Sequence, residues 1–518
     1  MTAAEFASSY PLWAVEHASV LIAAVPLLAA AVAALIPSPR GAWALAFITT
    51  LFCTAMAALL LAQTWSGGVI SYDLGGWAPP LGIKYRVDAL NAAVLLLVSA
   101  IAAACAFYAP ASVGAEIPAR QQALFYSAFL VCFAGLLGVA VTGDAFNLFV
   151  FLEISSLSTY VLVAMGRHRD RRALTASYNY LILGTIGATF YVIGVGFLYM
   201  ATGTLNFADI AERLAPLADS TTVRVGFAFI VIGLGLKVAM FPLHSWLPNA
   251  YAFAPSFVTA FLASTATKVA LYAVARILYS VFDPSFSFQG LSLAYLLAPL
   301  ALLGMIGASV QAVFQSDVRR LFAFSSVAQV GYMLTGFAIG SAAGMSAGLL
   351  HLVNHAMMKG AIFMALGIIS MRLGVTRVEQ FRGLGRVMPF TMAGLTIACL
   401  SLIGVPLTVG FTSKWYLLNA ALASGWWWVV AAIGVASVLA FVYVGRVLEA
   451  AYLRPPPEHD GRAISVRPAP LGMAAALWVL ALANIWFGID AEFTTSLACR
   501  AADALFGAGD ACAAMGGA

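Results

Sequence analysis

Five charged residues lie where the surrounding sequence is apolar enough to sit in lipid: Glu153, Lys237, Lys268, Lys359 and Lys414. Near a bilayer centre each would cost about 2.5–3.5 kcal/mol, and all five more than about 10 kcal/mol, comparable to the stability of a whole domain. They must therefore face one another, or water, inside a bundle. Glu153 is followed at i+3 and i+7 by Ser156 and Tyr160, a polar stripe on an apolar helix. Lys268 has Ser264 and Tyr272 at i−4 and i+4 in "STATKVALY". "HLVNHAMMK" sets His351, His355 and Lys359 at i, i+4 and i+8, so three titratable groups stack along one face. His244 stands close to Lys237 in the chain. A lone buried histidine is more often a satisfied core residue, and a lone charge near a span end more often snorkels. A carboxylate, four lysines and histidines together suggest proton relay, because burial and a nearby carboxylate pull a lysine's proton affinity in opposite directions.

Such groups need membrane helices to hold them, and the composition supplies these. Of 518 residues, 63% are hydrophobic and only 9% charged, against about 25% charged in soluble domains. Fourteen apolar spans are expected near 20–36, 42–65, 88–108, 122–142, 144–165, 173–201, 224–243, 255–281, 293–314, 318–339, 342–370, 388–418, 425–450 and 471–488. The expected fold is an all-α polytopic membrane protein. The first 19 residues lack a basic leader and contain Glu5 and Glu16, so the first span reads as a retained helix. Placing "GRHRDRR" (166–172) in the cytoplasm puts 16 of the 26 basic residues in loops on that side, six on the other and four inside spans. This positive-inside bias places both termini on the outer side. The small net charge of +5 is thus topology rather than a nucleic-acid surface.

Two spans are interrupted. Lys237 precedes Pro242, Pro248 and Pro255 in "KVAMFPLHSWLPNAYAFAP", and Lys414 follows Gly404, Pro406 and Gly410 in "GVPLTVGFTSK". Broken backbone at membrane depth is tolerated only beside protein or a watery cavity, and paired breaks mark ion sites in transporters. The broken spans, seven and twelve, are five apart, which points to a five-helix repeat whose second copy is inverted. The expected divisions are an N-terminal three-helix segment (1–121), a first repeat (122–281), a second repeat (293–450) and a C-terminal linker, helix and outer tail (451–518). Laying "LEISSLSTYVL" (152–162) over "FSSVAQVGYML" (324–334) aligns Tyr160 with Tyr332 and Glu153 with Ser325.

These stretches resemble the antiporter-like subunits shared by Mrp-type multisubunit sodium/proton antiporters and respiratory complex I. "GDAFNLFVFLEISSLSTYVL" (143–162), "GLGLKVAMFPLHSWLPNAYAFAPSFVTAFLASTATKVALY" (233–272), "HLVNHAMMKGAIFMALG" (351–367) and "GVPLTVGFTSKW" (404–415) follow the family in order. The resemblance implies fourteen helices with inverted repeats at spans 4–8 and 9–13. It also implies that Glu153 is the fifth-span glutamate, Lys237 its seventh-span partner and Lys414 the twelfth-span terminal group. Lys268 and the His351/His355/Lys359 stripe would form the central relay. "FNLFVFLE" and "FTSKWYLL" look most like the Mrp D subunit. The implied function is a proton-conducting subunit of a monovalent cation (Na+)/proton antiporter, working with other membrane subunits in a bacterial inner membrane. The alternative is a proton-pumping subunit of an NADH:quinone oxidoreductase or membrane-bound hydrogenase-type complex.

Two further classes fit less well. An organic-solute transporter would need a roomy central site, and a quinone enzyme would need a headgroup site near an interface; no motif marks either. No nucleotide loop or metal-ligand spacing occurs, so no cofactor or metal is expected. Four of the six cysteines fall in apolar spans. Cys499 and Cys512 share the final segment, where either a bridge or a frayed tail with unpaired thiols fits.

Overall fold

Helices begin and end where the local chemistry dictates. Asp144 accepts from Asn147 N at 2.7 Å to start α5 (Ala145–Ala164), and Asp317 accepts from Arg320 N at 2.9 Å to start α10 (Val318–Ala338). The computed structural model describes residues 10–456, 458–459, 462–463 and 466–507. Glu5 and Cys512 lie outside these, as does the pairing of Cys512 with Cys499.

The remaining spans are α1 (Leu12–Leu35), α2 (Pro39–Thr64), α3 (Ala89–Glu116), α4 (Ala119–Val141), α6 (Arg172–Thr202), α8 (Ser256–Arg276), α9 (Ala294–Val313), α11 (Ala342–Leu373), α13 (Trp427–Leu453) and α14 (Leu471–Ile489). Span seven is α7a (Thr221–Val238) followed, after a non-helical break, by the short α7b (Leu247–Phe253). Span twelve is split into α12a (Pro389–Ile403) and α12b (Val409–Ala423). Thirteen described helices are long and apolar enough to cross a membrane. The split span completes fourteen, since each of its 15-residue halves reaches only about 22 Å of a core about 30 Å thick.

The helices sort by polarity. In α8, α10 and α11, the least apolar group, the share of the span buried is 94%, 100% and 94%, against 39% in the strongly apolar α13. The bundle interior takes the helices that carry polar side chains, although the strongly apolar α3 and α4 are also 72% and 78% buried.

Inversion of the repeat shows in local detail. The backbone at Asp144 bridges Asn206, just past α6, and that at Asp317 bridges Arg377, just past α11. Both α6 and α11 end on a left-handed glycine, Gly203 and Gly374. Because α5 runs toward the 166–172 loop and α10 starts at the end carrying Arg319 and Arg320, the two matching clamps sit on opposite faces.

Three segments differ from the sequence reading. Residues 70–73 and 84–87 form a short antiparallel hairpin, β1 and β2, within the otherwise helical chain. The segment after α14 is a helix, α15 (Glu492–Phe506), rather than a frayed tail up to Phe506. Its Arg500 donates to Trp65 O at 2.5 Å and lies 4.6 Å above the Trp65 ring, tying it to the end of α2. Arg319, expected in a loop, lies in the first turn of α10, buried, and donates to Ser256 Oγ at 2.8 Å. Glu116, at the end of α3, accepts from Ser256 N at 2.9 Å, so a neighbouring helix supplies the cap of α8.

Candidate proton-relay site

The first cluster forms where α7 breaks. Ala239 takes a left-handed conformation (φ 59°) and ends α7a at Val238, the residue after Lys237. Trp246, beyond the break, donates from Nε1 to Leu236 O at 2.9 Å and stacks on Tyr180 at 4.0 Å, which holds the broken end in place. Lys237 Nζ then donates to Glu153 Oε1 at 3.0 Å and to Ser156 Oγ at 2.8 Å. The lysine side chain is 6% exposed and the glutamate 20%, so the pair is sealed on one side and reaches the surface of the chain on the other. Tyr160 packs edge-on against Tyr180, and its buried hydroxyl has no hydrogen-bond partner. His244 stacks on Phe241 at 5.1 Å and lies edge-on to Phe324. It points toward the second repeat and makes no hydrogen bond to Lys237.

The second cluster is central. His351, His355 and Lys359 line one face of the unbroken α11 and are fully buried. Lys359 Nζ donates to Ser325 Oγ at 2.5 Å and Phe322 O at 2.8 Å on α10. The aligned position that holds the carboxylate Glu153 in the first repeat therefore holds a neutral hydroxyl in the second. Neither ring nitrogen of His355 has a hydrogen-bond partner, an uncommon state for a buried imidazole. Lys268 is fully buried on α8 and donates to Ala263 O and to Thr267 Oγ1, within its own helix. Ser264 lies against α11 beside Gly360, next to Lys359. Tyr272 differs from expectation: its hydroxyl donates to Ala140 O on α4 at 3.0 Å and receives Asn91 Nδ2 from α3, rather than serving Lys268 directly.

The third cluster sits at the break of α12. Gly404, at φ 97°, ends α12a, and Lys414 on α12b reaches back to donate to Ile403 O at 2.7 Å and Leu402 O at 3.2 Å. A cation thus occupies the negative end of the half-helix. Its Nζ stands 4.8 Å over the Tyr332 ring, which lies 5.4 Å from that of His351. His351 Nδ1 is 2.8 Å from Ser413 Oγ and Nε2 is 2.7 Å from Gln329 Oε1. The His351 and His355 rings stack at 6.2 Å, continuing the row toward Lys359. Gln329, Ser413 and Trp246 escaped the sequence reading, since neutral side chains of these types are ordinary within helices.

Among the described residues, Lys268, Lys359 and Lys414 have no carboxylate within ion-pair distance. No group of three or more His, Cys, Asp or Glu among them could hold a metal ion. The arrangement is three buried clusters of protonatable nitrogens, with the hydroxyls of Ser156, Ser325 and Ser413 beside Lys237, Lys359 and His351 and the carboxylate of Glu153 in the first cluster.

Residues 142–440 match the family described as "NADH:quinone oxidoreductase/Mrp antiporter, TM". The chain belongs to this family. It is 44% identical over 462 residues to NADH-quinone oxidoreductase subunit N of Desulforudis audaxviator, covering 88% of this chain and 90% of that one. A chain of the Mrp complex from Dietzia sp. superposes with a TM-score of 0.87 at 27% identity, covering 95% and 98%. A chain of the membrane-bound sulfane sulfur reductase, an archaeal respiratory membrane complex, gives 0.85 at 34% identity, covering 94% and 97%. As an antiporter-like membrane subunit of the NADH:quinone oxidoreductase/Mrp family, the chain is thus nearer in sequence to the subunit N relative than to the Mrp chain. The motifs that look like Mrp D do not decide the branch.

The break in α12 depends on one close approach. A Cβ on Gly410 would lie 1.7 Å from the Ser401 carbonyl oxygen, a backbone atom that cannot move aside alone. Gly410→Ala is expected to displace α12b, destabilise the chain by about 1–3 kcal/mol or more and move Lys414 off its carbonyls. Thermal unfolding of the purified protein in detergent checks this; an unchanged midpoint would contradict it.

Proposed function

We propose that this chain is a proton-translocating membrane subunit of a redox-driven complex of the NADH:quinone oxidoreductase or membrane-bound reductase type. In this reading it works in a bacterial inner membrane beside other membrane subunits, with both termini on the outer side. The observation that carries it is the Glu153–Lys237 pair at the break of α7, 3.0 Å apart, at one end of a buried row of lysines and histidines. Protons enter this row as a charge on one nitrogen and leave it from another, each lysine passing between charged and neutral forms. Identity of 44% to a subunit N supports the redox branch.

A second reading, a subunit of a Na+/proton antiporter, is supported by the TM-score of 0.87 to the Mrp complex chain. Copurification from native membranes separates the two. The expected result is companion subunits carrying redox centres, and vesicle acidification driven by NADH, hydrogen or a sulfur electron acceptor couple without added Na+. Acidification changes driven only by a Na+ gradient, with no redox subunit in the purified complex, would favour the second reading.

A further inference from the structure

On the face opposite the 166–172 loop, a cavity of about 540 Å³ opens between the β1–β2 hairpin, the 142–143 turn and the short helix Phe207–Leu214. Lys84, Arg86, Asp209, Asn91 and Arg276 are in its wall. The last two close its inner end. Arg276, at the end of α8, forks onto Asp88 with both guanidinium nitrogens at 2.8 Å from its two carboxylate oxygens, and both side chains are buried. Asp88 also caps α3, accepting from Leu90 N at 3.0 Å, so the arginine is anchored to a fixed helix end. Asn91 Nδ2 donates to the Tyr272 hydroxyl at 3.3 Å, and the guanidinium lies 5.5 Å from the Tyr272 ring centre. Tyr272 stands one turn from Lys268 on the same uninterrupted helix. A polar cavity therefore ends one hydroxyl and one helical turn from a fully buried lysine of the row.

We propose that this cavity is a proton port serving Lys268 through the Tyr272 hydroxyl, closed at rest by the Arg276–Asp88 pair and the Asn91 amide. The reading rests on proton translocation as the function of the row. Arg276 keeps its charge at any physiological pH. Fixed beside the Tyr272 side chain, whose hydroxyl lies behind Asn91 at the inner end of the cavity and one helical turn from Lys268, it repels an excess proton, as an arginine does in a pore that excludes protons. Asp88 makes burial of that charge tolerable. The Tyr272 hydroxyl is also occupied, donating to Ala140 O, and must rotate away before it can pass a proton. Swinging Arg276 or Asn91 aside bares this hydroxyl to the cavity. Transfer then also needs Lys268 Nζ to leave Ala263 O and Thr267 Oγ1 and turn toward Tyr272: the Tyr272 oxygen takes the proton from the Lys268 ammonium while its own proton passes to water in the cavity, leaving a neutral lysine and an unchanged tyrosine.

The test uses the intact complex in vesicles, without redox substrate, with passive proton flux driven by a potassium diffusion potential. The double variant Asp88→Asn/Arg276→Gln removes both charges together while keeping size and hydrogen bonding. It is expected to raise passive flux several-fold, and adding Tyr272→Phe or Lys268→Met is expected to return it to the wild-type level. Asn91→Ala, which leaves the charge pair in place, is expected to raise flux as well and serves if the double variant does not assemble. Wild-type flux in an assembled double variant or in Asn91→Ala overturns the port, and so does raised flux that persists with Lys268→Met. Redox-driven pumping by the wild type, measured in the same vesicles, reports on the function of the row separately: its absence would strike that reading while passive flux still reads the port.

Discussion

Glu153→Gln is expected to lower driven proton translocation through this subunit by about tenfold or more, below the range that a positioned proton-transfer group supplies, with the complex still assembled. The amide keeps the shape of the carboxylate and can still accept from Lys237, and Ser156 Oγ remains 2.8 Å from Nζ. Only the charge is lost, and with it the partner that stabilises the protonated lysine. Glu153→Ala is the harsher change, because it removes the hydrogen-bond acceptor as well as the charge, and breaking a buried pair costs about 3–5 kcal/mol. Dye-reported acidification of vesicles containing the purified complex measures the effect. Unchanged acidification with Glu153→Gln would remove the pair from the pathway and leave it a structural ion pair, which also occurs in membrane bundles.

Lys359→Met is expected to separate activity from stability. Lys359 is fully buried, its Nζ is satisfied only by a hydroxyl and a carbonyl, and no described carboxylate stands within ion-pair distance. Methionine has a similar length and fills the same space between Phe322 and Phe363, near whose rings Nζ lies. Removing a buried charge that has no counter-charge relieves a desolvation cost that nothing nearby repays. The variant should therefore melt at or above the wild-type temperature while driven translocation falls to a small fraction. A protein that melts lower and pumps normally would mark Lys359 as a packing residue. The combination of raised stability and lost function is the signature of a group kept for its chemistry.

The membrane fold was legible because its cause is compositional. A span of about 20 apolar residues has few alternatives, and arginine-rich loops orient the set. The His351/His355/Lys359 row was legible from helical spacing alone, and the breaks at 239 and 404 from Pro and Gly. What lies between helices was not. Tyr272 shares a face with Lys268, yet its hydroxyl goes to Ala140, 132 positions away. Arg276 reads as a loop charge near a span end until Asp88, 188 positions earlier, is brought against it. Gln329 and Ser413 acquire meaning only when they grip the two sides of His351. No local pattern distinguishes such residues from the many polar side chains that bond back to their own helix. The helix at 492–506 was missed for a related reason: its apolar side, with Leu497 and Leu505 buried, is too short and too diluted by charge to read as a span.

Lys414 carries a consequence that concerns mechanics. Its ammonium holds the last two carbonyls of α12a while its own backbone belongs to α12b, so one side chain stitches the two halves of a broken helix together. A charge at a helix C-terminus contributes about 0.3–1 kcal/mol, rising to about 2 kcal/mol when partly buried. The joint is that much tighter with the proton on than with it off. Thermodynamic reciprocity then requires the converse: any contact from a neighbouring subunit that bends or straightens the joint must alter the lysine's hold on its proton by the same factor. At about 1.4 kcal/mol per tenfold change in an equilibrium constant, a modest flexing of α12 is worth roughly an order of magnitude in proton occupancy. Force applied to this helix and the filling of its terminal site are two readings of one equilibrium.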